Sequence, residues 1–198
     1  MLCLRKPTPA EIETFLAVQA RLELTYQAPV TRRSAAPPGF VVDHTRTRLG
    51  QGEAVFAAAK AALEQWRQFQ LGWLEAWPTD RPIMEGEVVA VVAWALGLWW
   101  LNACRITHVI REHAPHPRFG FTYATLPAHV GSGEERFLLE MDESQHVWYD
   151  VRAFSRPHSL LARMGYPYLR RVQKRFGRQS AAAMRKAVSS VSSEAEAE

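Results

Sequence analysis

Cysteine is scarce in this sequence. Among its 198 residues only Cys3 and Cys104 are cysteines, so at most one disulfide bridge is available. No positively charged and then apolar leader precedes a small-residue cleavage site at the N-terminus. These two absences lead us to expect a reducing, cytoplasmic location.

Long apolar runs are also missing. The longest one, Val88 to Leu101, has about 14 residues and contains Gly97, whereas a helix needs roughly 20 to cross a bilayer. We expect two buried strands there, or a strand and a tight turn. With 47% hydrophobic and 22% charged residues, the chain is neither wholly disordered nor a polytopic membrane protein. One soluble globular domain, with or without an appendage, remains.

The signatures of several enzyme classes are absent. The chain has no glycine-rich phosphate loop of either standard form. His113 and His116 lie three residues apart, but no full set of metal ligands accompanies them. We therefore expect no metal and no cofactor. Two candidate nucleophile–base pairs lack a nucleophile elbow and an oxyanion loop, namely Ser155 with His158 and Cys104 with His108.

Helical periodicity occurs in three places. Thr8, with Pro9 and Glu11 after it, predicts a capping box at the start of an amphipathic helix. Apolar residues three and four apart predict a second helix within 53–69, and a third periodic stretch follows Pro157, interrupted at Pro167. We predict an N-terminal helix and proline-rich linker over 1–39, a domain over 40–188 and a flexible acidic tail over 189–198.

The middle of the chain has the pattern of an antiparallel meander. Four β-like segments follow one another without intervening helices, at about Ala103 to Glu112, Arg118 to Leu126, Glu134 to Met141 and Gln145 to Phe154. Because side chains alternate between the faces of a strand, each segment divides into two sets. One set is aromatic and aliphatic, and the other interleaves arginines with carboxylates. We therefore predict a sheet with one dry face and one wet face.

The meander also carries a family resemblance. The run Tyr123-Ala124-Thr125-Leu126, then His129, Gly133-Glu134-Glu135 and Phe137, resembles the signature of the uncharacterised bacterial and plant family called domain of unknown function nineteen-ninety. Further matches include Gly50-x-Gly52, Cys104-Arg105-Ile106 and Phe154-Ser155-Arg156-Pro157 leading to Pro167 and Gln173. Ala124 departs from the usual glycine. The resemblance covers about residues 40 to 180 and implies, by analogy of element order, an α+β helix-grip (START-like) fold.

That fold places a curved antiparallel sheet around a long C-terminal helix, and its members commonly hold apolar small molecules between the two. We predict an apolar or aromatic ligand in such a pocket, with walls from Phe121, Tyr123, Phe137 and Tyr149. The polar residues of the dry face, His108, Thr125 and Glu135, would orient the ligand. Alternatively, these polar groups satisfy one another or lie in solvent at strand ends.

Two other functions stay open. His129, Glu134 and Glu135 flank a Gly-Ser-Gly turn and are candidate acid–base groups of an enzyme acting on a hydrophobic substrate in the same cavity. From Arg156 to Lys186 there are many basic residues and no acidic one, which predicts a cationic helix face. An anionic membrane surface or an acidic protein could bind that face, whereas we do not expect nucleic-acid binding. Sequence alone leaves the oligomeric state open.

Overall fold

The computed structural model describes residues 1–26, 36–158 and 163–195. Within these residues eight strands form one antiparallel sheet: β1 Leu2–Cys3, β2 Val41–Gln51, β3 Leu74–Trp77, β4 Val88–Ala95, β5 Leu98–Glu112, β6 Arg118–Thr125, β7 Gly131–Met141 and β8 His146–Pro157. The strand order is β2-β8-β7-β6-β5-β4-β3, and β1 pairs with β5. The predicted meander is thus formed by β5 to β8.

The described helices are α1 Pro9–Gln19, α2 Glu53–Glu64, a short 3-10 segment Arg67–Phe69 and the long α3 Tyr166–Ala195. The sheet is curled, and α3 lies across its inner face, where it packs against β2, α2 and the 3-10 segment. Register shifts in β2 and β5 add to the bending of the sheet. This arrangement is the predicted α+β helix-grip fold.

The bounds of several elements have local reasons. The apolar run 88–101 forms β4 and part of β5, the two buried strands expected there, because Leu96 and Gly97 both take positive φ in a tight turn between them. The second helix stops before residue 69, since Trp66 adopts a left-handed conformation. Pro167 lies in the first turn of α3, where its missing N–H costs nothing, so it begins this helix rather than interrupting it.

The N-terminal residues belong to the same packed unit as the sheet. The capping box of Thr8 and Glu11 is present, as predicted. Ile12 and Leu16 of α1 pack on the outer face of β4 and β5, against Val88, Ala90, Val92, Leu101 and Ala103. Both faces of β4 are therefore buried, which explains its unbroken apolar sequence. The outer face is dry here, whereas charged pairs such as Arg46–Glu140 lie on the outer face of strands farther from α1.

Two predictions at the chain ends lie partly outside the described residues. The proline-rich linker includes residues 27–35, which are not described. At the other end α3 continues through Ala195, so the backbone shows no break at the predicted boundary of 189.

Both cysteines are free thiols, and Cys104 is fully buried. Among the described helices, none combines the length and apolar character that a membrane span requires.

Gly133 in β7 provides a test of the tight pairing between β7 and β8. A Cβ atom at this position would overlap the carbonyl oxygen of Phe154, whereas a Cβ at Gly131 would lie 3.5 Å from the nearest atom, the carbonyl oxygen of Arg156. We expect Gly133→Ala to lower the free energy of unfolding by about 2 kcal/mol or more. Gly131→Ala, the matched control, should change it by less than about 1 kcal/mol. Urea denaturation measures both, and equal stabilities of the two variants would contradict this packing.

Candidate functional site

A cavity of about 700 Å³ lies between the inner face of the sheet and the first half of α3. It occupies the end of the sheet formed by the start of β5, the end of β6, the start of β7 and the end of β8. Most of its wall is apolar, from residues that include Phe69, Trp73, Val91, Trp100, Val151 and Phe176. At the other end of the same face, buried side chains of the described residues pack together.

Aromatic rings fill that other end. Phe121 and Phe137 are fully buried, with ring centroids 5.1 Å apart, and Trp66 lies 5.1 Å from Phe121. Tyr149 is also fully buried and shares a hydrogen bond of 2.8 Å with Ser180 of α3. The inward orientation predicted for Phe121, Phe137 and Tyr149 is right. However, these three side chains form a packed core beside the cavity and do not line it.

Glu135 is the predicted polar residue with the clearest place in the cavity. It lines the wall together with Tyr123, whose O–H donates to Oε2 of Glu135 at 2.6 Å. Burial raises the pKa of Glu135 from 4.5 to about 7, although the hydrogen bond from Tyr123 favours the ionised carboxylate. Burial and the adjacent carboxylate also raise the pKa of Tyr123, so the phenol keeps its proton at neutral pH.

Thr125 lines the cavity as well, but its hydroxyl already has protein partners. The N–H of Gly133 donates to Oγ1 of Thr125 at 3.0 Å, and the hydroxyl of Thr25 lies within hydrogen-bonding distance. Thr125 therefore ties β7 and the N-terminal segment to β6. For this residue the alternative that buried polar groups satisfy one another is correct.

The inward position predicted for His108 is wrong. Ile106 pairs with Tyr123 but His108 pairs with Thr122, so β5 has a register shift between them. The extra residue reverses the alternation beyond it, and Val109 takes the inward place. The ring of His108 lies on the outer face, with Nδ1 3.1 Å from a carboxylate oxygen of Glu85.

The three acid–base candidates do not form one catalytic group. His129, Glu134 and Glu135 all border the cavity. Yet Glu134 accepts a hydrogen bond from Tyr26, which packs with Ala124 and Phe154 on the outer face. Burial raises the pKa of Glu134 to about 7. Side chains of adjacent strand residues point to opposite faces, so the carboxyl groups of Glu134 and Glu135 lie on opposite sides of the sheet.

His129 is neutral and held by the backbone. Burial lowers its pKa to about 4. Its Nδ1 lies 3.0 Å from both the N–H and the carbonyl oxygen of Gly131, so this backbone can hold the neutral ring in either tautomer. Neither nucleophile–base pair considered above is assembled either, because the hydroxyl of Ser155 accepts from Gln173, and Cys104 faces inward while His108 faces outward.

The sequence patterns did not predict a polar clamp at the cavity border, formed by Asp43, Arg170, Gln173 and Ser155. Arg170 of α3 binds both carboxylate oxygens of Asp43 in β2, with an Nη2–Oδ1 distance of 2.6 Å. Gln173 accepts from Arg170 at 2.7 Å and donates to the hydroxyl of Ser155 at 2.9 Å. Ser155 and Gln173 both belong to the family signature, and that signature was the feature of the sequence that could have indicated a role for them. Asp43 lies 127 positions from Arg170, and nothing local indicates their pairing.

The basic helix is only partly the free cationic surface that its sequence predicts. Arg170 is paired with Asp43, Arg175 stacks over the Trp73 ring at 4.5 Å, and Arg185 donates to the hydroxyl of Thr47. The exposed basic side chains of the described part of α3 include Arg171, Lys174 and Arg178. Within the described ranges no group of three or more His, Cys, Asp or Glu residues is arranged to hold a metal ion.

Comparison with known proteins identifies the family. The model of the family described as Domain of unknown function (DUF1990) matches residues 25–183. A UPF0548 protein of Dictyostelium discoideum is 31% identical over 96% of this chain and 97% of its own length. Another, from Arabidopsis thaliana, is 32% identical over 76% and 74%. The crystal structure of Ara h 8.0201 covers 77% of this chain and 99% of its own, with 11% identity and a TM-score of 0.48.

The burial of Glu135 predicts a specific pH dependence of stability. The pKa of its carboxyl is higher in the folded protein, about 7, than its ordinary value of 4.5. Between these pH values the folded state binds more protons than the unfolded state, so this residue lowers the free energy of unfolding as pH rises. The stability of Glu135→Gln relative to the wild type should therefore increase by about 1 to 3 kcal/mol from pH 4.5 to pH 7.5.

Urea denaturation at a series of pH values measures this difference. Comparison with the wild type at each pH cancels the opposite contribution of His129, whose pKa is lowered in the folded protein. Glu143→Gln, in the exposed turn between β7 and β8, is the control and should show no such trend. A constant difference between Glu135→Gln and the wild type across this range would contradict the buried position of the carboxyl.

Proposed function

The chain belongs to the DUF1990 family, and we propose that it binds an apolar small molecule in the cavity between the sheet and α3. The observation that carries this proposal is an apolar space of about 700 Å³ with one carboxyl–phenol pair facing it. Pockets for small molecules in proteins usually have volumes of about 300 to 1,000 Å³, mainly apolar walls and a few oriented polar groups. The cavity has all three properties.

The cavity is held open by contacts that fix α3 from both sides. The Asp43–Arg170 pair attaches the start of the helix to β2, and Gln179 accepts a hydrogen bond of 2.6 Å from the indole of Trp73. Phe176 packs against Phe69 with a centroid distance of 5.3 Å. Because these contacts fix the height of the helix above the sheet, the cavity cannot close without breaking them. A ligand would replace the packing that this space lacks.

Three predicted binding residues keep that role in our proposal. Tyr123 and Glu135 supply the polar contacts, while Thr125 contributes wall surface because its hydroxyl is already engaged. Phe121, Phe137 and Tyr149 support the cavity from the adjoining core. We assign His108 no contact with the ligand, since it lies on the outer face.

Catalysis in the same cavity is less well supported than binding. The sequence suggested His129, Glu134 and Glu135 as acid–base groups, but Glu134 is bound by Tyr26 on the outer face and His129 by the backbone of Gly131. Glu135 and Tyr123 remain as the acid–base pair on the cavity wall. A single carboxyl–phenol pair is sufficient to orient a ligand, so binding is the function that this geometry supports best.

Filling the cavity should abolish binding of an apolar probe. Ala153 in β8 and Ala93 in β4 line the cavity from different strands. We expect Ala153→Phe and Ala93→Phe each to reduce the affinity for Nile red, a neutral dye, by about tenfold or more, because the new ring occupies the binding space. Ala182→Phe, at an exposed position of α3, is the control and should bind like the wild type.

Nile red fluorescence titrations give the affinities, and thermal unfolding shows whether each variant is folded. Native mass spectrometry of the purified wild type adds an independent measurement, the detection of a co-purified compound. Wild-type affinity in both cavity-filling variants would contradict the proposal. Absence of Nile red binding to the wild type, together with no co-purified compound, would do the same.

A further inference from the structure

The polar groups around the cavity differ in whether the protein satisfies them. Asp43 is paired with Arg170, and Gln173 bridges Arg170 and Ser155. Asn102 accepts from the N–H of Val130 and donates to backbone carbonyls of β4 and β5. Glu135 is different, since its Oε2 accepts from Tyr123 and no described residue hydrogen-bonds its Oε1. One carboxyl oxygen on the cavity wall is therefore left for a ligand.

We propose that the ligand is an apolar molecule carrying a protonated amine, and that its ammonium group binds Oε1 of Glu135. This inference rests on the proposed function and specifies the ligand class for the same cavity. An ammonium donates hydrogen bonds and carries the charge opposite to the carboxylate, so it satisfies both requirements of this oxygen at once. In an apolar site such a pair interacts more strongly than in water.

The distribution of charge favours a cation over an anion in the interior. The acidic residues that border the cavity are Glu135, Glu134 and Asp43. Glu134 accepts a hydrogen bond from Tyr26 on the outer face, and Arg170 neutralises Asp43. The basic residues that border the cavity include Lys174 and Arg178, and the side chains of both are exposed. A carboxylate ligand reaching the interior would meet Glu135 with the same charge. A neutral ligand would gain only a hydrogen bond there.

Aromatic rings beside the carboxyl support the same ligand class. Phe69 lines the cavity with its ring centroid 6.3 Å from that of Tyr123, the residue bound to Glu135. Trp73 and Trp100 also line the wall, and their indole N–H groups donate to Gln179 and to the carbonyl oxygen of Ala95. The Phe69 ring is thus close to the carboxyl–phenol pair and can attract a cation there, and the other rings are suitable contacts for the hydrocarbon part of an amine.

The protonation of Glu135 makes amine binding dependent on pH. Its neighbours on each packed element are Tyr123 of β6, Cys104 of β5, Tyr149 of β8 and Asp43 of β2, together with the basic residues Arg170, Lys174 and Arg178 of α3. His44 and His129 also border the cavity. Burial raises the pKa of Glu135 to about 7. Below that pH the carboxyl is neutral and loses its attraction for an ammonium.

Three naphthalene compounds of matched shape test the ligand class: naphthylmethylamine, naphthalenemethanol and naphthoic acid, which are cationic, neutral and anionic at neutral pH. Calorimetric titration at pH 8 should give the amine an affinity about tenfold or more above that of the alcohol, with the acid weakest. At pH 5.5 the amine should lose about tenfold in affinity while the alcohol changes less than about twofold, because protonation of Glu135 removes a charge that attracts the ammonium but not the hydroxyl.

Glu135→Gln removes the charge and keeps the shape and the acceptor for Tyr123. We expect this variant to bind the amine about tenfold more weakly at pH 8 and to bind the alcohol as the wild type does. Glu140→Gln is the matched control, since Glu140 is on the same strand but faces outward to Arg46. It should leave both affinities unchanged. Circular dichroism and thermal unfolding confirm that both variants are folded.

Tyr123→Phe provides a second test that does not remove the carboxyl. Without the phenol Glu135 loses the hydrogen bond that favours its ionised form, so the pH midpoint of amine binding should move upward. Amine binding that is no stronger than alcohol binding at pH 8, or that is unaffected by Glu135→Gln, would overturn the inference. Alcohol binding would then still support the proposed function, whereas failure of all three compounds and of Nile red would contradict both.

Discussion

The position of α3 above the curled sheet is the constraint on which the rest of the structure depends. Aromatic side chains from the 3-10 segment, the residue before it and the central strands fill one half of the space beneath the helix. Trp66, Phe69, Phe137 and Phe121 form a closed ring of contacts there. Hydrogen bonds with Asp43 of β2, Ser155 of β8 and Trp73 hold the helix over the other half. The cavity is the volume that these contacts leave between rigid elements.

The chemistry of the cavity follows from placing a carboxyl in that volume. Burial alone would keep Glu135 neutral, because a charge is costly away from water. The phenol of Tyr123 offsets part of this cost by donating to the ionised form. The result is a group with a pKa of about 7, whose charge changes near neutral pH. Ligand class, pH response and stability are thus linked through one side chain.

Much of the fold could be predicted from local patterns. The alternation in β6, β7 and β8 correctly places Phe121, Phe137 and Tyr149 on the inner face, because the strand period holds wherever pairing is regular. The prediction failed at His108, where one extra residue in β5 reversed the alternation. It also missed that α1 covers the outer face of β4. Apolar residues on both faces of that strand are consistent with burial, but they do not identify the covering element.

The sequence by itself determined the order of the helices and the meander strands, the inner face of β6 to β8 and the family, because these depend on periodicity and on contiguous motifs. It also identified Glu135 and Tyr123 as polar residues on an aromatic face. Only the tertiary structure decided that Tyr26 is the partner of Glu134 and that Asp43 holds Arg170. It also decided which half of the inner face is filled by side chains and which half borders the cavity. These outcomes depend on contacts between residues more than 100 positions apart, which no local pattern encodes.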